Sequence, residues 1–204
     1  TSFGLKGDGT LWSWGNNLFG ELGDGTTVSR PQPVQVVADP LSNGRYVAVA
    51  AGGEHALALQ ADGTLWAWGA NLTGQLGTGG TGILPNPTPL KIGMDRDWTA
   101  ISAGEMHSVA LKADGSLWTW GQNLFGQLGN GVALPGANVT APTRVGTGSD
   151  WVAIAAGALH TVALHRNGTV SAWGNNAQGA VGDGTVANRS TPTQIVSPVT
   201  FINN

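Results

Sequence analysis

One motif occurs four times at a nearly fixed period, and self-similarity at that spacing restricts the chain to repeat architectures before any single residue is interpreted. DGTLWSWGNNLFGELGDG begins at Asp8, DGTLWAWGANLTGQLGTG at Asp62, DGSLWTWGQNLFGQLGNG at Asp114 and NGTVSAWGNNAQGAVGDG at Asn167. Their first glycines, Gly9, Gly63, Gly115 and Gly168, are spaced 54, 52 and 53 residues apart. A second signature precedes three of the four: Tyr46 leads to AAGGEH ending at His55, Trp98 to SAGEMH ending at His107, and Trp151 to AAGALH ending at His160. Aligning Leu5 with Leu59 places Thr1 where His55 sits, so the chain is expected to open partway through a repeat, without that repeat's first strand.

Within a repeat, residues 98–103 (WTAISA), 107–112 (HSVALK) and 116–121 (SLWTWG) are short β-branched and aromatic runs bounded by Gly and Asp, and they are expected to be strands. The Asp-Gly and Asn-Gly pairs between the second and third runs predict two-residue hairpins of type I′, whose central positions both need positive φ. The glycine-rich G-x-N-x-x-G-Q-L-G-x-G stretch cannot hold a helix. It leads to Pro31-Gln32-Pro33-Val34, Pro87-Thr88-Pro89-Leu90, Pro142-Thr143-Arg144-Val145 or Pro192-Thr193-Gln194-Ile195, and proline fits only an edge strand or its approach. Four short strands in about fifty residues is the pattern of a β-propeller blade. The expected fold is all-β, with about four blades near 1–45, 46–97, 98–150 and 151–204, forming part of a larger ring or an oligomer. A parallel β-solenoid is the competing architecture, but its repeats are shorter and carry no Asp-Gly corner at a constant place.

These residues, A-G-x-x-H, A-L-K-x-D-G-x-L-W-x-W-G, N-x-x-G-Q-L-G-x-G and P-x-x-V, resemble the repeat of the regulator of chromosome condensation family, and the resemblance covers the whole chain. It implies blades of a seven-bladed ring that binds proteins. Family members include an exchange factor for the GTPase Ran, ubiquitin-ligase accessory domains, a plant ultraviolet-B photoreceptor and a bacterial β-lactamase inhibitor. In the photoreceptor a repeated G-W-R-H-T supplies Trp and Arg. Here the matching stretches are Gly52-Gly53-Glu54-His55-Ala56, Gly104-Glu105-Met106-His107-Ser108 and Gly157-Ala158-Leu159-His160-Thr161, which speaks against that photochemistry.

Charge narrows the partners. Charged residues make up 10% of the chain and the net charge is −3, so no basic surface is available to displace counterions from a phosphate backbone, and nucleic acid is not an expected partner. No run has the length of a membrane span. With no cysteine, thiolate zinc sites and disulfides are excluded.

Site by site, the readings are structural for most repeated residues. Trp14, Trp68, Trp120 and Trp173 share one repeat position suited to packing between blades, while Trp12, Trp66 and Trp118 lie two residues earlier, with Ser171 in the fourth copy. His55, His107 and His160 face successive sectors of a ring, so the expectation is backbone bonding within each blade and no metal. His165 is unrepeated and is expected on the surface. Asp24, Asp183 and Asn130 are accounted for by turn chemistry, one oxygen per loop being too few for calcium. No G-x-S-x-G elbow or unique nucleophile appears, so no catalytic residue and no cofactor is assigned. Four N-x-S/T sequons occur, at Asn71, Asn138, Asn167 and Asn188. The positions freest to touch a partner lie inside N-x-x-G, where Phe19, Leu72, Leu124 and Phe125 form a candidate apolar strip. Loops 36–45, 78–87 and 131–141 vary most. The expected function is a non-enzymatic protein-binding propeller of a secreted or cell-surface bacterial protein. The alternative is self-assembly with further copies of the chain into a ring or fibre. Ran-type exchange is the least favoured reading, because the chain carries no basic tail.

Overall fold

The corners between strands show how the sequence sets the chain's path. A computed structural model of the protein describes residues 1–37 and 44–195. At the first corner Gly9 N donates to Lys6 O at 2.9 Å and Lys6 N donates to Thr10 O at 3.0 Å. Gly9 has φ 87°, and no described non-glycine residue has a positive φ. The corner is therefore a type I turn closed by a glycine bulge, not the type I′ turn expected from Asp-Gly. Asp8 stays right-handed because its carboxylate accepts bonds from Thr10 N at 2.9 Å and Thr10 Oγ1 at 2.7 Å, a local clamp that fixes the residue before the glycine. Asp62, Asp114 and Asn167 make the same pair of bonds to Thr64, Ser116 and Thr169.

These corners produce four antiparallel meanders. The first contains β1 (Ser2–Leu5), β2 (Leu11–Gly15) and β3 (Arg30–Gln35). The second contains β4 (Tyr46–Ala51), β5 (His55–Gln60), β6 (Leu65–Asn71) and β7 (Gly82–Lys91). The third contains β8 (Trp98–Ala103), β9 (His107–Lys112), β10 (Leu117–Gly121) and β11 (Val139–Arg144). The fourth contains β12 (Trp151–Ala156), β13 (His160–His165), β14 (Val170–Gly174) and β15 (Arg189–Gln194). No helix occurs among the described residues. The variable stretch 36–45 lies mostly outside them.

Successive sheets stack face to face, with the first strands β4, β8 and β12 against one another on the inside; Ala156 N donates to Ser102 Oγ at 2.9 Å across two of them. The fourth strands lie outside, and the alternating Pro85, Pro87 and Pro89 of β7 remove every second N–H from an exposed edge, which prevents further strands from pairing there. Each interface between sheets has its own apolar core. Leu11 and Val36 meet Tyr46, Trp66 and Trp68; Leu57, Leu76 and Ile92 meet Trp98 and Trp120; Val109, Leu117 and Val145 meet Trp151 and Trp173. At roughly 1.5–3 kcal/mol for each buried large side chain, these cores are the main favourable term joining the blades.

Candidate interaction face and the joints between blades

The N-x-x-G loops are built around one buried asparagine. Asn17 Oδ1 accepts from Leu22 N at 2.8 Å, while its Nδ2 donates to Thr26 O at 3.0 Å and Val28 O at 3.1 Å. Asn71, Asn123 and Asn176 repeat the first bond, to Leu76, Leu128 and Val181, and each also donates across to the following loop. A side-chain amide can serve both backbone polarities at once, so a glycine-rich loop with little intrinsic order is held as firmly as a strand. The residue after the asparagine is turned outward: Leu18 is 66% exposed, Leu72 42% and Leu124 40%. Phe19 and Phe125 are half-buried, with Phe19 N donating to Glu21 Oε2 and Phe125 N to Gln127 Oε1. The outward strip therefore consists of the leucines more than of the phenylalanines. Val28, Val132 and Val186, all exposed, sit in the adjoining loops that the same asparagines tie down, and exposed Ile83 and Leu84 open strand β7 just after the second of those loops.

The second repeated arrangement joins one blade to the next. Trp68 Nε1 donates to Glu21 O at 2.8 Å, Trp120 Nε1 to Gln75 O at 2.9 Å and Trp173 Nε1 to Gln127 O at 3.0 Å. All three indoles are fully buried, whereas Trp14, on the first sheet, is half-buried. The glycine after each Leu is required by this approach: a Cβ on Gly129, already at φ +69°, lies 2.7 Å from Trp173 Nε1. His55 Nε2 meets Ser108 Oγ at 2.9 Å and His107 Nε2 meets Thr161 Oγ1 at 3.0 Å, and the two hydroxyls donate to Gln75 O and Gln127 O, each at 2.8 Å. The histidines thus bond a hydroxyl of the following blade, not backbone of their own, because the repeat stacks each ring beside that hydroxyl. Burial pushes the His55 imidazole down to about 4. Burial, with the neighbouring His55 and His160, takes His107 to about 3. Both are neutral at physiological pH. Among the described residues no three of His, Asp and Glu are grouped to hold a metal ion.

Four blades with these joints match one family along nearly the full chain: the model of the RCC1-like domain covers residues 1–203. The chain belongs to the RCC1-like domain family. It is 34% identical over 200 residues to the human E3 ubiquitin-protein ligase HERC2, covering 95% of this chain and 4% of that protein. Among solved structures it is similar to human WBSCR16, with a TM-score of 0.87 and 23% identity over 98% of this chain and 52% of that one. It is also similar to Prp20p from Saccharomyces cerevisiae, with a TM-score of 0.82 and 26% identity over 96% of this chain and 48% of that one. The chain spans a small part of the ligase and about half of each solved chain.

Within this RCC1-like array the fourth blade departs from its neighbours at one cluster. In the third blade Lys112 Nζ lies 4.7 Å from the Trp98 ring and 4.8 Å from the Trp118 ring, and bonds Asp95 at 2.6 Å. In the fourth, His165 takes the lysine's place, stacked on Trp151 at 3.8 Å, with Nδ1 3.0 Å from Asp150 Oδ2 and Nε2 3.1 Å from Ser171 Oγ. His165 is thus half-buried at the edge of its own blade and bonded within it, not a free surface residue. Asp, His and Ser in one hydrogen-bonded row have the order of a nucleophilic triad, but the burial is reversed: Ser171 is 4% exposed and the Asp150 side chain 51%. A nucleophile needs the open end, so the row replaces the Lys112–Trp118 packing and does not assemble an active site. The sequon asparagines also have structural duties in the RCC1-like loops. Asn71 is one of the buried loop organisers, and the side chains of Asn138 and Asn188 accept from Asn123 N and Asn176 N.

Proposed function

We propose that this RCC1-like segment is a non-enzymatic module that binds a protein partner through the face carrying the N-x-x-G loops. The observation that supports it most is the recurrence of exposed Leu18, Leu72 and Leu124 at one repeat position, on loops that buried asparagines make rigid. Ile83, at 83% exposure, and Leu84, at 76%, extend that surface. Apolar side chains pre-held on a scaffold lose little entropy on binding, and both carboxylates of the first loop are already engaged, Glu21 Oε2 by Phe19 N at 2.8 Å and Asp24 by Arg30 at 2.9 Å. The partner that suits such a face is a protein segment presenting apolar side chains, with few charges to desolvate.

The test is a binding comparison by quantitative pull-down from the source organism. The wild-type chain and an inner-strand variant, Val47→Asp, retain a partner at micromolar concentration, while Leu72→Asp with Leu84→Asp weakens it roughly tenfold or more. Equal retention by both variants, or no partner at that concentration, contradicts the reading.

We further place the module in a secreted or cell-surface bacterial protein, on its low charge and its Asn-, Thr- and Gly-rich loops. An export signal in the coding sequence upstream supports that setting, and an uninterrupted cytoplasmic reading frame opposes it. Nucleotide exchange on a Ran-type GTPase is the less favoured reading, the chain carrying a net charge of −3, and stimulated nucleotide release in an exchange assay is what revives it.

A further inference from the structure

Two cavities lie at equivalent places in successive joints, and they differ in the side chains that line them. The first, of about 370 Å³, opens between the second and third blades and is walled by Thr78, Lys91, Asp95, Trp98, Trp118 and Pro142, with glycine backbone between them. Trp98 opens β8 and Trp118 lies near the start of β10, so the cavity reaches toward the Asp-Gly corners, the opposite end of the sheets from the N-x-x-G loops. The second, of about 580 Å³, lies between the third and fourth blades. There Gly148 stands in the repeat place of Asp95, and His165 and Ser171 stand in those of Lys112 and Trp118.

The first cavity brings three kinds of group together. Trp118 is half-buried and its N–H is spent on Ser116 Oγ at 2.8 Å, so what it offers a ligand is ring surface. Lys112 Nζ lies 4.8 Å over one face of that ring, outside the cavity wall, and the cavity meets the rest of the indole. Trp98 is only 5% exposed, and its Nε1 has no hydrogen-bond partner among the described residues. In the next joint a Cβ at Gly148 lies 3.6 Å from Trp151 Nε1, which is likewise unpartnered. Because Gly148 and Asp95 share a repeat place, the Trp98 N–H faces the wall at Asp95. A buried donor without an acceptor is a cost that a ligand oxygen removes. Asp95 supplies the third group: its Oδ2 bonds Lys112 at 2.6 Å, its side chain is half exposed, and Oδ1 is left to accept. One ammonium, Lys91, and one carboxylate, Asp95, line the cavity, so its wall carries no net charge to draw in an ion.

We propose that the cavity between the second and third blades binds a single neutral sugar ring. A pyranose has a flat C–H face rimmed by hydroxyls. Its C–H face lies against Trp118, one hydroxyl oxygen accepts from Trp98 Nε1, and another hydroxyl donates to Asp95 Oδ1. A flat apolar ligand leaves both polar groups unserved, and a cavity of this size has room for one such ring. Residues 93–97, exposed throughout, are the part of the wall that yields to admit the hydroxyl. The larger cavity of the next joint is no sugar site, because Ser171 gives no ring and Gly148 no carboxylate. This site is separate from partner binding through the loop face, and either stands or fails without the other.

NMR of the indole N–H signals of the 204-residue chain tests the proposal, during titration with glucose, galactose, mannose and N-acetylglucosamine, each carried to high millimolar concentration. The expected result is a saturable shift of the Trp98 N–H with at least one of the four sugars, while the Trp151 N–H stays in place. Trp118→Ser and Asp95→Gly each install the residue that the next joint carries at that place, and unmoved Trp68 and Trp173 signals report that the fold is kept. Each is expected to weaken the sugar roughly tenfold or more, while Leu72→Asp binds it as wild type does. The proposal is overturned if no sugar of the four moves the Trp98 signal, if Trp151 shifts in step with it, or if either cavity variant binds as tightly as wild type.

Discussion

The tryptophan before the third strand's glycine does two jobs that a phenylalanine cannot combine. Its ring fills the core between two sheets, and its N–H is committed to a carbonyl of the preceding blade, as Trp120 is to Gln75 O. Trp120→Phe keeps most of the ring and removes the donor. The expected loss is about 1–2 kcal/mol, because Ser108 Oγ still serves the same carbonyl, read as a lower urea midpoint at unchanged slope. Gly129→Ala meets two obstacles at once, a left-handed φ of +69° and Trp173 Nε1 at 2.7 Å from the added carbon. A loss of about 2 kcal/mol or more is expected in the same measurement. The buried histidines add a pH dependence. In the unfolded chain they titrate near 6.5, but folded His55 and His107 bind a proton only near 4 and 3. The unfolded state therefore holds more protons between those values, so stability is full above pH 6.5 and declines as the pH falls toward the folded values. Denaturant midpoints measured from pH 7.5 to 4.5 are expected to fall, and His107→Gln is expected to flatten the decline.

Most strands were legible in sequence, because the Trp-x-Trp-Gly and Ala-Gly-x-x-His signatures bound short β-branched runs at one period. The corner type was not, since Asp-Gly alone suggests two positive φ values, and the residue that decides otherwise is the Thr or Ser two positions after the Asp. The histidine bonds were missed for a different reason: the hydroxyl that His55 meets lies 53 residues away, one full repeat, and only stacking brings it near. That the fourth blade departs at Ser171 was visible, yet its link to His165 and Asp150 needed the register of β13 and β14. At the level of elements, the outer strands show protection that sequence did suggest through proline. Replacing Pro85, Pro87 and Pro89 together with threonine restores three N–H groups to the β7 edge. The variant is expected to aggregate with rising thioflavin fluorescence at concentrations where the parent stays clear, and equal behaviour contradicts the edge argument.

Across the whole molecule, stability comes from three cores between sheets more than from any single sheet, as expected of an array in which each repeat contacts only its neighbours. The first joint lacks the histidine and hydroxyl pair, having Thr1 and Ala56 at those places, and is expected to open before the other two when exchange is followed in mild denaturant. The same repeat that buries one face of each tryptophan strand puts an exposed leucine at one loop position in three blades, so the proposed binding face and the joints follow from one repeat. The central claim is that the second, third and fourth blades are each keyed to the one before by an indole N–H. Hydrogen exchange of the tryptophan side chains by NMR tests it directly. Trp68, Trp120 and Trp173 are predicted to exchange only by the largest openings of the structure, much later than Trp12; prompt exchange at any of those three contradicts the account.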